Sequence, residues 1–356
     1  MVYYINYKKN QENNAGNKAP DDIAKICQQL GYTEFSVPAM PKGLSSLKAK
    51  IWILLNAPTW WRKLENTVTK ADTVIYQHPM YGARLALKNV KKIKEKRGCK
   101  FVAIIHDLES LRNGVEGEYS VNKSTSDIAD NRLLKLFDNI ICHNERMIDY
   151  LVSKGFDREK LINLEIFDYL CDLPLKKQKL GLSKPEIIIA GNLNWGKSRY
   201  VYELGSIAST DSDIKVNVYG NNFDKNKASK SIVYKGSSKP DELPGILEGN
   251  FGLVWDGVSA DSCIGNTGEY LKYNDPHKTS LYIASGIPVI VWSQAAIADF
   301  IIKHNIGITI DSLHEIASSI AKITDDEYEQ MQNNVISIGE KLRTGYYTKK
   351  ALNKSV

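Results

Sequence analysis

Short apolar runs rich in β-branched residues alternate with helix-period segments along nearly the whole chain. Residues 2–7, 72–77, 100–107 and 139–143 have the length and composition of buried strands. Residues 21–30, with Pro20 beside the first turn, and the basic stretch ending at Arg97 carry helical spacing. The pattern breaks at 168–185, a polar, lysine-rich stretch containing Pro174, Gly181 and Pro185, and then resumes. Residues 186–190, 215–219, 232–234, 252–255 and 288–292 read as strands. Residues 278–285 and 295–304 read as helices, and 325–342 as a long final one. Such alternation predicts βαβ crossovers and mostly parallel sheets covered on both faces. The predicted fold class is α/β, with two facing Rossmann-like domains at 1–170 and 185–330. A linker at 171–184 joins them, and a C-terminal helix at 331–356 returns to the first domain. In such sheets ligands bind outside the carboxyl ends of the strands, and the crevice between two such halves is the expected site.

Composition narrows the class. Over 356 residues, 43% hydrophobic and 25% charged, the chain has the make-up of a globular protein. Disorder, collagen and a small disulfide scaffold are excluded. No apolar run approaches the roughly 18–20 residues of a membrane span, and the opening VYYINY lacks a basic region before an apolar one. Cys27, Cys99, Cys142, Cys171 and Cys263 are widely spaced with no CxxC pair, which points to a reducing, cytoplasmic setting. The net charge of +6 is too mild to indicate a nucleic-acid partner. It is unevenly spread, however: between Arg84 and Lys100 eight basic residues face one acid, Glu95. Just before them, Trp52, Trp60 and Trp61 stand beside Lys48, Lys50, Arg62 and Lys63. That mixture suits the headgroup boundary of a bilayer, and equally a core helix with a solvated lysine face.

Several segments carry candidate chemistry. The polar loop after the first strand holds one glycine, Gly16, just before a helix; no GxGxxG is present, so a dinucleotide site is not indicated. IIHDLESLR puts His106 and Asp107 at the carboxyl end of a buried strand, where either could take a proton from an attacking hydroxyl. His143 has the same placement, and there a structural role is favoured. AGNLNWGKSRYVYEL places Lys197 and Arg199 near a helix start, which suits a diphosphate. Tyr219 ends a strand, where it could stack on a base or pack in the core. The sharpest segment is GEYLKYNDPHKTSLYIASGIPVIV. It sets His277 and Lys278 at a helix start, with Asn274 and Thr279 beside them. No metal is expected: HExxH is absent, and the DxD of Asp211 and Asp213 falls in a polar turn.

HKTSLYIASGIPVIV resembles the donor-binding element of GT-B glycosyltransferases. Together with IIHDLESLR, IFDYL, AGNL, FGLVWDG, GEYLKYNDPHKTSLY and KLRTGYY, it gives the chain a resemblance to bacterial β(1→6)-galactofuranosyltransferases of O-antigen synthesis. More distantly the chain is similar to streptococcal glucosyltransferases that extend glycans on serine-rich adhesins. The resemblance implies a UDP-sugar donor, UDP-galactofuranose in the nearer relatives, used without a metal or other cofactor. It implies that Arg199 and Lys278 hold the diphosphate, that Tyr219 sits near the uridine, and that the loop around Gly16 closes on the donor. Asn274, His277 and Thr279 complete the expected donor set. The E-x7-E pair of many retaining relatives is missing, with Ser280 and Leu281 in its region, which fits an inverting enzyme. Asp107 or His106 is then the expected base. The implied partners are the UDP-sugar and a lipid-linked oligosaccharide acceptor, met by peripheral contact at the inner face of the plasma membrane. UDP-glucose or UDP-galactose as donor, a glycoprotein acceptor, and a noncatalytic sugar-nucleotide-binding role are the alternatives. A homo-oligomer is compatible with the sequence.

Overall fold

The computed structural model describes residues 1–8, 17–41, 43–80, 82–112, 126–175, 181–211 and 213–356. The chain divides into two compact units. Their main parts are Pro20–Leu164 and Glu165–Tyr347. The first strand and Thr348–Val356 join the former, and the start of the helix Lys18–Gln29, up to Ala19, joins the latter.

The first unit is built on a six-stranded sheet of β1 (Val2–Lys8), β2 (Thr33–Pro38), β3 (Thr73–His78), β4 (Lys100–Ile105), β5 (Asn139–Cys142) and β6 (Leu161–Asn163), in the order β2-β1-β3-β4-β5-β6. Every pairing is parallel. Val74, Tyr76, Phe101, Ala103, Ile105, Ile140 and Cys142 form the sheet's side of a core closed by helices Ser46–Thr67 and Ala83–Arg97. The strand order reverses direction between β1 and β3, which makes the carboxyl ends there the natural place for chemistry.

The helix Ser46–Thr67 drives Trp60 and Trp61 into that core, at 7% and 2% exposure, with their rings 4.2 Å apart. Those two tryptophans are therefore packing residues and not a headgroup anchor. Glu65, nearly buried on the same helix, accepts from Lys92 and pairs with Lys96 of the next helix, and these bonds lower its pKa. None of the helices among the described residues is long and apolar enough to cross a membrane.

The second unit repeats the design with β7 (Glu186–Asn192), β8 (Lys215–Asn221), β9 (Ile232–Tyr234), β10 (Phe251–Val254), β11 (Val289–Trp292) and β12 (Gly307–Ile310), in the order β12-β11-β10-β7-β8-β9. It too is wholly parallel. Here the reversal lies between β7 and β10. Their ladder is short, Phe251 opposite Ile187 and Gly252 opposite Ile188. Beyond it the strands part, and the freed Ala190 N–H donates to the Tyr282 hydroxyl at 2.8 Å.

Tyr282 belongs to the helix His277–Ala284, which is pressed between two glycines. A Cβ on Gly252 of β10 would stand 2.2 Å from the Tyr282 ring. A Cβ on Gly339 of the helix Asp325–Arg343 would stand 2.7 Å from the Ile283 carbonyl oxygen. Only a residue without a side chain admits either approach. The long helix is itself firmly started. Thr324 caps it with its hydroxyl, and Glu327 returns a bond to the Thr324 N–H. The last helix, Tyr346–Ser355, ends in the first unit, where Asn139 Nδ2 donates to the Ser355 carbonyl at 2.9 Å.

Filling the space over β10 is expected to displace a rigid ring rather than a flexible chain. Gly252→Ala should cost about 2–3 kcal/mol and lower the thermal midpoint by roughly 5–10 °C. Calorimetry with no measurable change would mean that the helix is not seated on that glycine.

Candidate functional site

Outside the carboxyl ends of β7 and β10, two cations bond to the same stretch of chain, residues 255–258. Lys278, in the first turn of His277–Ala284, donates to the Trp255 carbonyl at 2.8 Å and to Asp256 Oδ2 at 3.2 Å, and its side chain is 19% exposed. Arg199 donates from Nε to the Val258 carbonyl at 2.9 Å and lies 3.3 Å from Glu203, whose other oxygen accepts from the Ala260 N–H at 2.7 Å. Its two terminal nitrogens make no hydrogen bond among the described residues, so a fork of donors is left over. A local device puts Arg199 there. After β7, Asn192 and Asn194 accept from backbone N–H groups two residues on, and the Ser198 hydroxyl bonds back to the Asn192 carbonyl. Ser198 itself leaves helical geometry at φ −128°, kinking the helix Trp195–Asp211 one residue before Arg199.

The start of His277–Ala284 has no side-chain cap. Around it lie buried polar atoms without a partner among the described residues, Thr279 Oγ1 and Asn274 Oδ1. Unpaired buried polar atoms are uncommon and call for an explanation. At an uncapped helix start beside a lysine, the Thr279 hydroxyl can donate to an anionic ligand, while Asn274 Oδ1 can only accept and suits a hydroxyl of such a ligand.

The other expected donor residues are placed differently. His277 stacks on Tyr169, ring centres 5.1 Å apart, and its Nε2 donates to the Asp168 carbonyl at 3.2 Å. Burial lowers its pKa to about 4, so it brings no positive charge to the helix start. Ser280, from the region of the missing glutamate, donates to the Phe167 carbonyl at 2.7 Å. The segment 166–170 is thus a seat for this helix. It is tied further by Tyr169 to the Pro240 carbonyl and by Lys18 to the Leu170 carbonyl. Tyr219 is buried at the end of β8, its hydroxyl donating to the Ile246 carbonyl and accepting from the Glu248 N–H. Gly16 lies outside the described residues.

In the first unit the carboxyl ends of β3, β4 and β5 gather three histidines. His106 follows β4 and places Nε2 2.7 Å from Gln77 Oε1. An amide oxygen only accepts, so that nitrogen carries the proton and Nδ1 is the basic one. Asp107, half-buried, pairs with Arg112 at 3.0 Å. His143 is buried, donates to the Ile105 carbonyl at 3.1 Å, and has its pKa lowered to about 4 by desolvation. Sequence reasoning did not single out the buried pair of His78 Nε2 and Asp130 Oδ1, 2.9 Å apart at the end of β3. The signal was available, since His78 ends an apolar strand just as His106 follows one. Gln77 and Asp256 could not be found from sequence, because each matters only through a partner distant in the chain. No group of His, Cys, Asp or Glu among the described residues could hold a metal ion.

Both halves of the chain match one family. The glucosyltransferase 3-like N-terminal domain matches residues 1–166, and the corresponding C-terminal domain matches 187–355. The beta-1,6-galactofuranosyltransferase WbbI of Escherichia coli (strain K12) is 30% identical over 357 residues, spanning 100% of this chain and 98% of the relative. The chain belongs to the glucosyltransferase 3-like family of glycosyltransferases. Glucosyltransferase 3 of Streptococcus gordonii, another relative of this glucosyltransferase 3-like chain, is 27% identical over 95% of this chain and 93% of the relative. Among solved structures, the lipopolysaccharide outer core galactosyltransferase WaaB in its apo form superposes with a TM-score of 0.63 at 11% identity, covering 99% of each chain. Anabaena HepE in complex with UDP and glucose superposes at 0.58 and 13%, covering 100% of this chain and 99% of that one. These likenesses show that the fold of this family member is GT-B.

A histidine held neutral by burial costs stability once the unfolded chain can protonate it. Between pH 6.5 and 4 the unfolded state binds more protons than the folded one, so stability falls as pH falls through that window. His143 should account for about 2 kcal/mol of loss by pH 5. Urea unfolding of His143→Asn at pH 6.5 and pH 5 should show a correspondingly shallower drop, and an unchanged drop would show that the imidazole is not the source.

Proposed function

We propose that this chain moves a hexose from a UDP-sugar onto a hydroxyl of a lipid-linked glycan in polysaccharide or O-antigen synthesis, with inversion at the anomeric carbon. The observation that carries the reading is the uncapped start of His277–Ala284. It holds Lys278 and the unpaired Thr279 hydroxyl in its first turn, and Lys278 and Arg199, with its spare donors, both bond to the stretch 255–258 that follows β10, at the strand reversal of a Rossmann-type sheet. The acceptor oxygen attacks the anomeric carbon while the bond to the diphosphate oxygen breaks. Negative charge grows on the departing diphosphate, and fixed cations and helix-end N–H groups aimed at it lower the barrier. Lys278 would exchange part of its bond to Asp256 for the diphosphate, and Arg199 would bind it with both terminal nitrogens. Asp107 is the proposed base, with His106 Nδ1 as the other candidate on the same strand end.

Galactofuranose is the proposed sugar, supported by the 30% full-length identity to a protein named for that transfer. Glucose is the second reading, supported by the two streptococcal relatives named Glucosyltransferase 3. One or two hydroxyl contacts in the pocket decide between such donors.

Titration of the purified chain with UDP and a panel of UDP-sugars tests the reading. Lys278→Ala should weaken UDP binding by roughly 10- to 100-fold, the worth of a charge-assisted hydrogen bond. Its melting temperature should stay close to that of the parent; a large fall would make the lysine structural. Binding without turnover for any donor and acceptor would favour a noncatalytic partner role. Asp107→Asn should lower turnover by about 100-fold or more at nearly unchanged donor affinity. Equal losses in both would count against a base.

A further inference from the structure

We propose that the solvent side of the helices Ser46–Thr67 and Ala83–Arg97 docks on an anionic lipid bilayer. With Trp60 and Trp61 turned into the core, the outer face of the helix Ser46–Thr67 carries Leu47, Ile51, Leu54 and Leu55, exposed by 67%, 48%, 60% and 72%. No other helix among the described residues exposes more than one large apolar side chain. Single exposed leucines are ordinary, whereas four on one face form a patch that needs a cover. Their spacing, i, i+4, i+7 and i+8, confines them to about 100° of the helix surface. By the same rotation Lys48 and Lys50, both exposed, fall on opposite flanks of that stripe.

The neighbouring helix continues the pattern. Ala83–Arg97 lies beside the first helix on the same side of the sheet, joined to it by the bonds of Lys92 and Lys96 to Glu65. Its outer row is Arg84, Lys88 and Lys91, all exposed and again at i, i+4 and i+7, followed at i+11 by the one acid, Glu95, 3.9 Å from Lys91. Charge is concentrated here. The chain holds 47 lysines and arginines and 41 acids; these two helices hold eleven and two, which leaves 36 and 39 elsewhere. The two helices thus bear +9, and all other residues together −3.

Charge decides between the occupants an apolar stripe could have. A second copy meeting this face across a two-fold axis would set one cationic surface against its like. An anionic bilayer takes the leucines into its acyl boundary and neutralises the flanking cations. The stripe is too short and the helix too well packed on its other side for anything but lying on the surface.

Flotation of the full chain with vesicles tests this, and it needs no sugar nucleotide, so its failure is separate from that of the transferase reading. Vesicles of equimolar phosphatidylglycerol and phosphatidylcholine should retain the protein at least about tenfold better than pure phosphatidylcholine. High salt should erode the difference. Leu54→Asp with Leu55→Asp, and separately Lys88→Glu with Lys91→Glu, should each reduce retention about tenfold or more at unchanged melting temperature. Absence of binding to the anionic vesicles overturns the proposal, as does binding that both variants leave intact. So does a wild-type dimer that the leucine variant converts to monomer without any vesicle retention.

Discussion

The second unit turns on one hydrogen bond. Where β7 and β10 separate, the Ala190 N–H loses its strand partner, and the Tyr282 hydroxyl replaces it. The bond fixes the ring of Tyr282 over Gly252, the ring fixes the helix His277–Ala284, and the helix fixes Lys278 against the Trp255 carbonyl. Each step is possible only because the next contact surface is bare. Gly252 lets the ring down onto the strand, and Gly339 lets the long helix close from the other side. In the proposed reaction the less Lys278 has to move, the more it lowers the barrier. Its backbone position is set by packing two contacts away.

The same constraint explains the division of labour among the residues that open this helix. Lys278 and Thr279 stand in the first turn of the helix, while His277 and Ser280 reach back to the carbonyls of Asp168 and Phe167. Adjacent residues thus take opposite tasks: Lys278 bonds at the strand end, while His277 and Ser280 bond to the chain that supports the helix. The neutrality of His277 follows from its seat: desolvation against Tyr169 disfavours the imidazolium, and the neighbouring charge of Lys18 works in the same direction.

Much of this was legible in the sequence, for a physical reason. Strands buried on both faces, such as β4, β10 and β11, read as unbroken apolar runs, and they announce a parallel sheet without ambiguity. The strands that escaped, β2, β6 and β12, are all at sheet edges. Thr33–Pro38 has one face largely in solvent and so mixes polar with apolar positions, and the other two are short. Lys278 was legible because a basic residue opening a helix after a polar loop is a local pattern. The roles of Trp60 and Trp61 were not. Tryptophan beside arginine has the same composition on a membrane and in a core, and only the rotation of the helix tells them apart. The exposed leucines of that helix were hidden in the same run of letters.

The last thirty or so residues return to both units in turn. The helix Asp325–Arg343 backs the helix of Lys278 through Gly339, and the segment Thr348–Val356 then rejoins the first unit, where the Ser355 carbonyl accepts from Asn139. Neither unit is therefore a continuous stretch of chain, and a cut at the obvious place, near residue 175, would separate the first sheet from part of its own fold. During synthesis on the ribosome the first unit stays without Thr348–Val356 until both sheets have been made. The protein is a transferase whose two halves are finished together.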